Sequence, residues 1–176
     1  MIFKETKLKG SFIIEPEMLI DERGAFARTF CRRDFENYGL NGNISQCSIS
    51  LNAKKNTLRG MHYQRKTYAE AKLVRCSRGI IYDVIVDLRN DSSTFKQWTS
   101  IEISAENRKM VYVPEGFAHG FQTMTDDTEV VYQMSQFHSP SNADGFRWDD
   151  PSFKIDWPSE NLVISLKDRN YSDFKL

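Results

Sequence analysis

The 176-residue chain has no surplus of either charge: Lys and Arg total 24, Asp and Glu 24. A protein whose chief partner is a nucleic-acid backbone needs a basic excess or stripe, so that class is disfavoured. Cysteine is scarce too. Cys31, Cys47 and Cys76 are an odd number without a CxxC pair, which argues against a disulfide framework and a zinc knuckle. Reduced thiols in a cytoplasmic protein fit better. No stretch approaches the ~20 apolar residues of a membrane span. Lys4, Glu5, Lys7 and Lys9 interrupt any apolar core of a signal peptide. Phosphate loops of the GxxxxGK[ST] or GxGxxG type are missing, as is a GxSxG nucleophile elbow. Only three histidines occur, His62, His119 and His138, with no HxH or HExxH pair, so a metal centre is not expected.

What is present is β-like. Hydrophobic residues make up 40% of the chain and aromatics 12%, too rich for disorder and inclined towards strands. Turn signals recur at short intervals, at Asp21–Gly24, Gly39–Gly42, Gly60, Ser77–Gly79, Asn90–Ser93, Pro114–Gly116 and Thr125–Asp127. Between them lie runs of period two. Ile80–Leu88 puts Tyr82, Val84, Val86 and Leu88 on one face and Ile81, Asp83, Ile85 and Asp87 on the other. Thr99–Ser104, Lys109–Val113, Phe121–Met124 and Thr128–Phe137 follow the same rule. One helix is predicted over Arg32–Tyr38, stopped by Gly39. The gaps are too short for helices between successive parallel strands. These features predict a single mainly β domain over residues 1–176, a sandwich or barrel.

Two local sequences stand out. In Leu58-Arg59-Gly60-Met61-His62-Tyr63-Gln64, strand geometry places Leu58, Gly60, His62 and Gln64 on one face and Arg59, Met61 and Tyr63 on the other. A glycine inside a strand is costly unless a backbone or ligand approaches closely. In Val113–Phe121, a turn leads into a strand that carries His119 between small residues. Both fit a histidine-centred pocket. Both also fit a bulged, well-packed hairpin.

These two segments belong to a longer ordered set. With Lys72-Leu73-Val74, Asp83–Arg89, Val131-Tyr132-Gln133, Trp148-Asp149-Asp150-Pro151, Ile155-Asp156-Trp157-Pro158 and Ser165-Leu166-Lys167-Asp168, they resemble the dTDP-4-dehydrorhamnose 3,5-epimerase family over about residues 11–170. The resemblance implies a cupin-type double-stranded β-helix (jelly roll) that works without metal or cofactor. It also implies a homodimer exchanging N-terminal strands. The implied substrate is a nucleoside-diphosphate-linked 4-keto-6-deoxyhexose, inverted at C3, C5 or both.

Roles follow from the resemblance residue by residue. Removing a proton next to a ketone needs a base with a pKa near working pH, and His62 matches that position. Asp168 matches the carboxylate that orients it, and Lys72 the cation facing the enolate oxygen. Tyr132 matches the acid on the opposite face of the sugar. Arg23, Arg59 and Lys167 match diphosphate contacts, for which a guanidinium fork is suited. Gln46 and His119 match positions lining the substrate. Taken alone, each has an ordinary alternative: a solvated tail aspartate for Asp168, a surface strand lysine for Lys72, an aromatic core residue for Tyr132, a structural role for His119.

Three substrate-contact positions depart from the family's common pattern. Arg28 stands where a glutamate contacting thymine is common, and an arginine offers only donors. Ser48 replaces an asparagine, and Phe137-His138 replaces an aromatic pair, leaving His138 able to stack on a base. A single-centre epimerase or a ketoisomerase on a related nucleotide sugar is the nearest rival. The Tyr132 donor favours epimerisation, and a non-catalytic sugar-nucleotide-binding module would need neither base, orienter nor acid.

Overall fold

In the computed structural model, residues 1–175 are described; Leu176, the last residue of the expected domain, lies outside them. In chain order the elements are β1 (Ile2–Glu5), β2 (Phe12–Glu15), β3 (Leu19–Asp21), β4 (Gly24–Phe26), α1 (Arg32–Asn37), β5 (Gln46–Asn52), β6 (Thr57–Gln64) and β7 (Lys72–Arg78). They continue as β8 (Ile80–Asp87), β9 (Trp98–Ser104), β10 (Met110–Val113), β11 (Phe117–Thr123), β12 (Thr128–Met134), β13 (Ala143–Gly145), β14 (Val163–Ile164) and α2 (Leu166–Arg169). One sheet has the order β1-β2-β10-β7-β12-β5. The other runs β13-β6-β11-β8-β9, with β14 added in parallel beside β6. These two mainly antiparallel sheets, with β3 and β4 forming a separate two-stranded sheet, make the mainly β, cupin-type jelly roll that the resemblance implies.

The period-two runs became strands with small shifts of boundary. In the second glycine-rich segment the turn leads, as expected, into a strand that carries His119, and this strand and the run from Phe121 form one element, β11 (Phe117–Thr123). The predicted helix forms, and Gly39 follows it with φ +70°, where a side chain would be strained. The four-residue α2 was not expected. Its local reason is Ser165, whose hydroxyl accepts a hydrogen bond from the Asp168 N–H and so caps the helix.

Both faces of β8 are buried, and they face different cores. Ile81 and Ile85 point between the sheets, where they pack with Val74, Ile103, Val111, Phe117, Phe121 and Val130. Val84 and Val86 point outward, under Phe146 and Phe153 of the C-terminal segment. Burial of each such aliphatic side chain contributes roughly 1.5–3 kcal/mol. On the outside of the first sheet, α1 buries Phe35 against Leu73, Met110 and Tyr112. The inter-sheet core fills only part of the interior, and Tyr132 lies at its boundary. The rest is open.

Candidate active site

The opening is a cavity of about 430 Å³ lined by Arg59, His62, Lys72, His119, Phe121 and Tyr132, with Ile49, Ser50 and Leu51 of β5 at its edge. Strict alternation along β6 would put Arg59 and His62 on opposite faces. The strand corrects that expectation with a bulge. His119 pairs with His62, but Phe121 pairs with Arg59, so three steps on β6 oppose two on β11. The extra residue brings Arg59 and His62 to the same face.

Gly60 sits inside the bulge with φ +135°, and a Cβ there would lie 2.6 Å from Gly120 Cα. A Cβ on Gly120 would in turn lie 2.9 Å from the Arg59 carbonyl oxygen. The two backbones touch, so both positions require glycine.

The end of the chain supplies the partner of His62. β14 pairs with Thr57 and Leu58 at the start of β6, which sets α2 beside Gly60. Asp168 is buried there rather than solvated. Its Oδ1 lies 2.8 Å from His62 Nε2, and its Oδ2 accepts the Gly60 N–H at 3.4 Å. Burial pushes the Asp168 pKa up, but the His62 hydrogen bond and charge and the Gly60 N–H outweigh it, and the net shift is downward. With Nε2 held by the carboxylate, Nδ1 is the nitrogen of His62 left free to act. The edge of Tyr171 packs against the same imidazole at 5.9 Å between centroids.

Tyr132 comes from β12 in the other sheet. Burial raises its hydroxyl pKa strongly and the Asp83 charge adds to this, while Arg59 offsets a part. The phenol therefore stays protonated at neutral pH, as a proton donor must. Lys72 begins β7 with its side chain 12% exposed, its Nζ 3.2 Å from Glu70 Oε1. Arg59 is aimed by Asn52, whose Oδ1 accepts its Nε–H at 2.8 Å. His119 is nearly sealed, with Nε2 2.7 Å from Asp83 Oδ2.

A recess of about 230 Å³ adjoins the cavity through His62 and Lys72 and is lined further by His138, Lys167 and Tyr171. The Gln46 side-chain carbonyl accepts the His138 N–H, tying β5 to that recess. Ser48 stands opposite Tyr132 in the β5–β12 register. Arg23 and Arg28 are elsewhere. Arg23 lies on the exposed β3–β4 hairpin, paired with Asp21, and Arg28 follows it in an exposed position. Asp83 and Glu70 were not singled out from the sequence. For Asp83 a signal existed, an acid on the same strand face as Ile81 and Ile85.

No group of three or more His, Cys, Asp or Glu side chains able to hold a metal ion occurs among the described residues. Cys31, Cys47 and Cys76 are free thiols. Among the described residues, no helix is long and apolar enough to cross a membrane.

Known proteins are similar in sequence and in fold over nearly the whole chain. The profile of the family described as dTDP-4-dehydrorhamnose 3,5-epimerase matches residues 5–175. A dTDP-4-dehydrorhamnose 3,5-epimerase of Methanothermobacter thermautotrophicus is 44% identical over 176 residues, covering 98% of this chain and 94% of that protein. The crystal structure of the enzyme of that name from Elizabethkingia anophelis superposes with a TM-score of 0.96 at 38% identity, over 99% of this chain and 96% of the other. The Legionella pneumophila dTDP-6-deoxy-D-glucose-3,5-epimerase, solved in complex with dTDP-4-keto-L-rhamnose, superposes with a TM-score of 0.91 at 33% identity, over 98% and 92% of the two chains. Matches of this extent, in sequence and in fold, make the chain a member of the dTDP-4-dehydrorhamnose 3,5-epimerase family.

Proposed function

We propose that the chain inverts C3 and C5 of a thymidine-diphosphate-linked 4-keto-6-deoxyhexose through an enolate, as a step of deoxysugar biosynthesis in the cytoplasm. The observation that carries this is the placement of a carboxylate-held imidazole and a protonated phenol on opposite sheets of one cavity. His62 Nδ1 takes the proton from the carbon beside the ketone, and the Asp168 carboxylate stabilises the resulting imidazolium. Negative charge then grows on the ketone oxygen, where the Lys72 ammonium offsets it. Tyr132 returns a proton from the other side, so the centre is inverted rather than restored. A ketoisomerase would need no second donor across the sugar.

The substrate's sugar occupies the main cavity and its nucleotide the adjoining recess. His138 offers a stacking surface there and Lys167 a charge for the diphosphate, which Arg59 meets from the cavity side. Gln46 and Ser48 border this path from β5.

The active form in this reading is a homodimer. Leu19, Ile20 and Phe26 of the β3–β4 hairpin are 68%, 80% and 70% exposed, and Ile49 and Leu51 on the edge strand β5 are 61% and 64% exposed. β1 and β2 are paired within the chain's own sheet. In this reading the N-terminal segment exchanged between subunits includes the hairpin, which would carry Arg23 and Arg28 to the partner's cavity. Replacement of both Ile20 and Phe26 by Asp is expected to give a monomer by light scattering, with activity lost.

The activity itself is tested in D₂O with the dTDP-linked 4-keto-6-deoxyglucose. Deuterium should enter at C3 and C5 of the wild-type product. Label at one carbon alone would point to the single-centre rival, and label at neither would leave only a binding module.

A further inference from the structure

The cavity holds two imidazoles, and each is tied through Nε2 to a carboxylate. His62 and His119 are cross-strand partners of β6 and β11. One is held by Asp168 from α2 at 2.8 Å, the other by Asp83 from β8 at 2.7 Å. The second pair lies deeper. Asp83 is fully buried among Ile81 and Ile85 on the inward face of β8, and its Oδ1 has no hydrogen-bond partner. A buried carboxylate with one oxygen unsatisfied is costly, far more so than an apolar residue of the same shape. Packing alone gives no reason for an acid here.

The His119 ring supplies one. Its Nε2 is engaged by Asp83, and the ring, though mostly buried, lines the cavity beside Tyr132. A carboxylate accepting from one ring nitrogen fixes both the tautomer and the angle of the imidazole. The same ring meets Tyr132 edge-on, at 6.0 Å between centroids and 77° between planes.

Building on the activity assigned above, we propose that Asp83 is a positioning residue. It holds the proton of His119 on Nε2 and turns Nδ1 towards the sugar beside the Tyr132 hydroxyl. His119 then meets the substrate with a defined nitrogen, and Asp83 acts only through it.

Two measurements test this. The first is the tautomer of His119 in the wild-type protein, read from ¹⁵N-histidine NMR and assigned with His119→Gln. The proposal expects a proton on Nε2; a neutral ring with its proton on Nδ1 would overturn it, whatever the activity. The second is a double-mutant cycle on kcat and KM with Asp83→Asn and His119→Gln, restricted to variants that melt cooperatively. Asp83→Asn should lower kcat about 10- to 100-fold with a smaller change in KM. The double variant should be no slower than His119→Gln alone, because the two residues act as a unit. Additive losses, or a lowered melting temperature with kcat unchanged, would make Asp83 merely structural and sink the idea. If Asp83→Asn does not fold, the wild-type tautomer decides. An inactive wild type would refute the assigned reaction and leave the tautomer result standing by itself.

Discussion

His62 and Asp168 are 106 positions apart in the chain and 2.8 Å apart in the fold. The pairing depends on a short parallel strand and one capped helical turn, neither of which has a strong periodic signal. From the residues alone Asp168 reads as a solvated tail acid; only the family resemblance marked it as the partner of His62. The chemistry assigned to the pair predicts a graded mutational response. His62→Ala should reduce deuterium exchange at both carbons by at least about 10²-fold, the usual contribution of a positioned general base. Nucleotide binding, measured calorimetrically with dTDP, should stay within a few-fold. Asp168→Asn should slow exchange by less than His62→Ala, because the base remains but loses its orienter. Equal rates for Asp168→Asn and wild type would reduce Asp168 to a helix-end acid.

At the scale of elements, the period-two runs were legible because one or both faces of each strand are buried. The α1 stop at Gly39 was legible because it depends on a local backbone preference. The bulge in β6 was not. Its sequence sign, a glycine within the strand, marks a close approach without giving its register, and a one-residue slip moves every later side chain to the other face. That slip is what unites Arg59 with His62. Gly60→Ala should be severely destabilising, since it combines a positive φ with a Cβ 2.6 Å from a neighbouring backbone atom. Strain and overpacking together amount to roughly 2–4 kcal/mol, or a fall in melting temperature of roughly 5–15 °C by calorimetry. A fall of less than about 2 °C would mean that the β6–β11 contact relaxes freely.

Over the whole molecule, acid stability should depend on the turn after β8. Asp87 is fully buried; burial raises its pKa, but hydrogen bonds from Arg89, Ser92 and Thr94 outweigh this and lower it to about 2. Arg89 also donates to the Lys9 carbonyl at 2.6 Å, so the same cluster anchors the N-terminal segment. A carboxyl depressed in the folded state stabilises above its unfolded pKa, and that stability is lost as pH falls through the folded value. The contribution is about 2 kcal/mol at pH 7, fading between roughly pH 4 and 2. Asp87→Asn should therefore lower denaturant stability at pH 7 while the gap to wild type narrows towards pH 2. A pH-independent gap would assign the loss to packing instead.

The central claim is that base and acid act on the sugar from opposite sheets. Tyr132→Phe tests it most directly, because it removes the phenol proton and leaves His62, Asp168 and Lys72 in place. In D₂O with the dTDP-linked 4-keto-6-deoxyglucose, followed by proton NMR, the variant should still exchange deuterium into the substrate with its configuration retained. Inverted product should fall by about 10²-fold or more. Exchange and inversion falling together, or both continuing at the wild-type rate, would contradict a donor at Tyr132 acting across the cavity from His62.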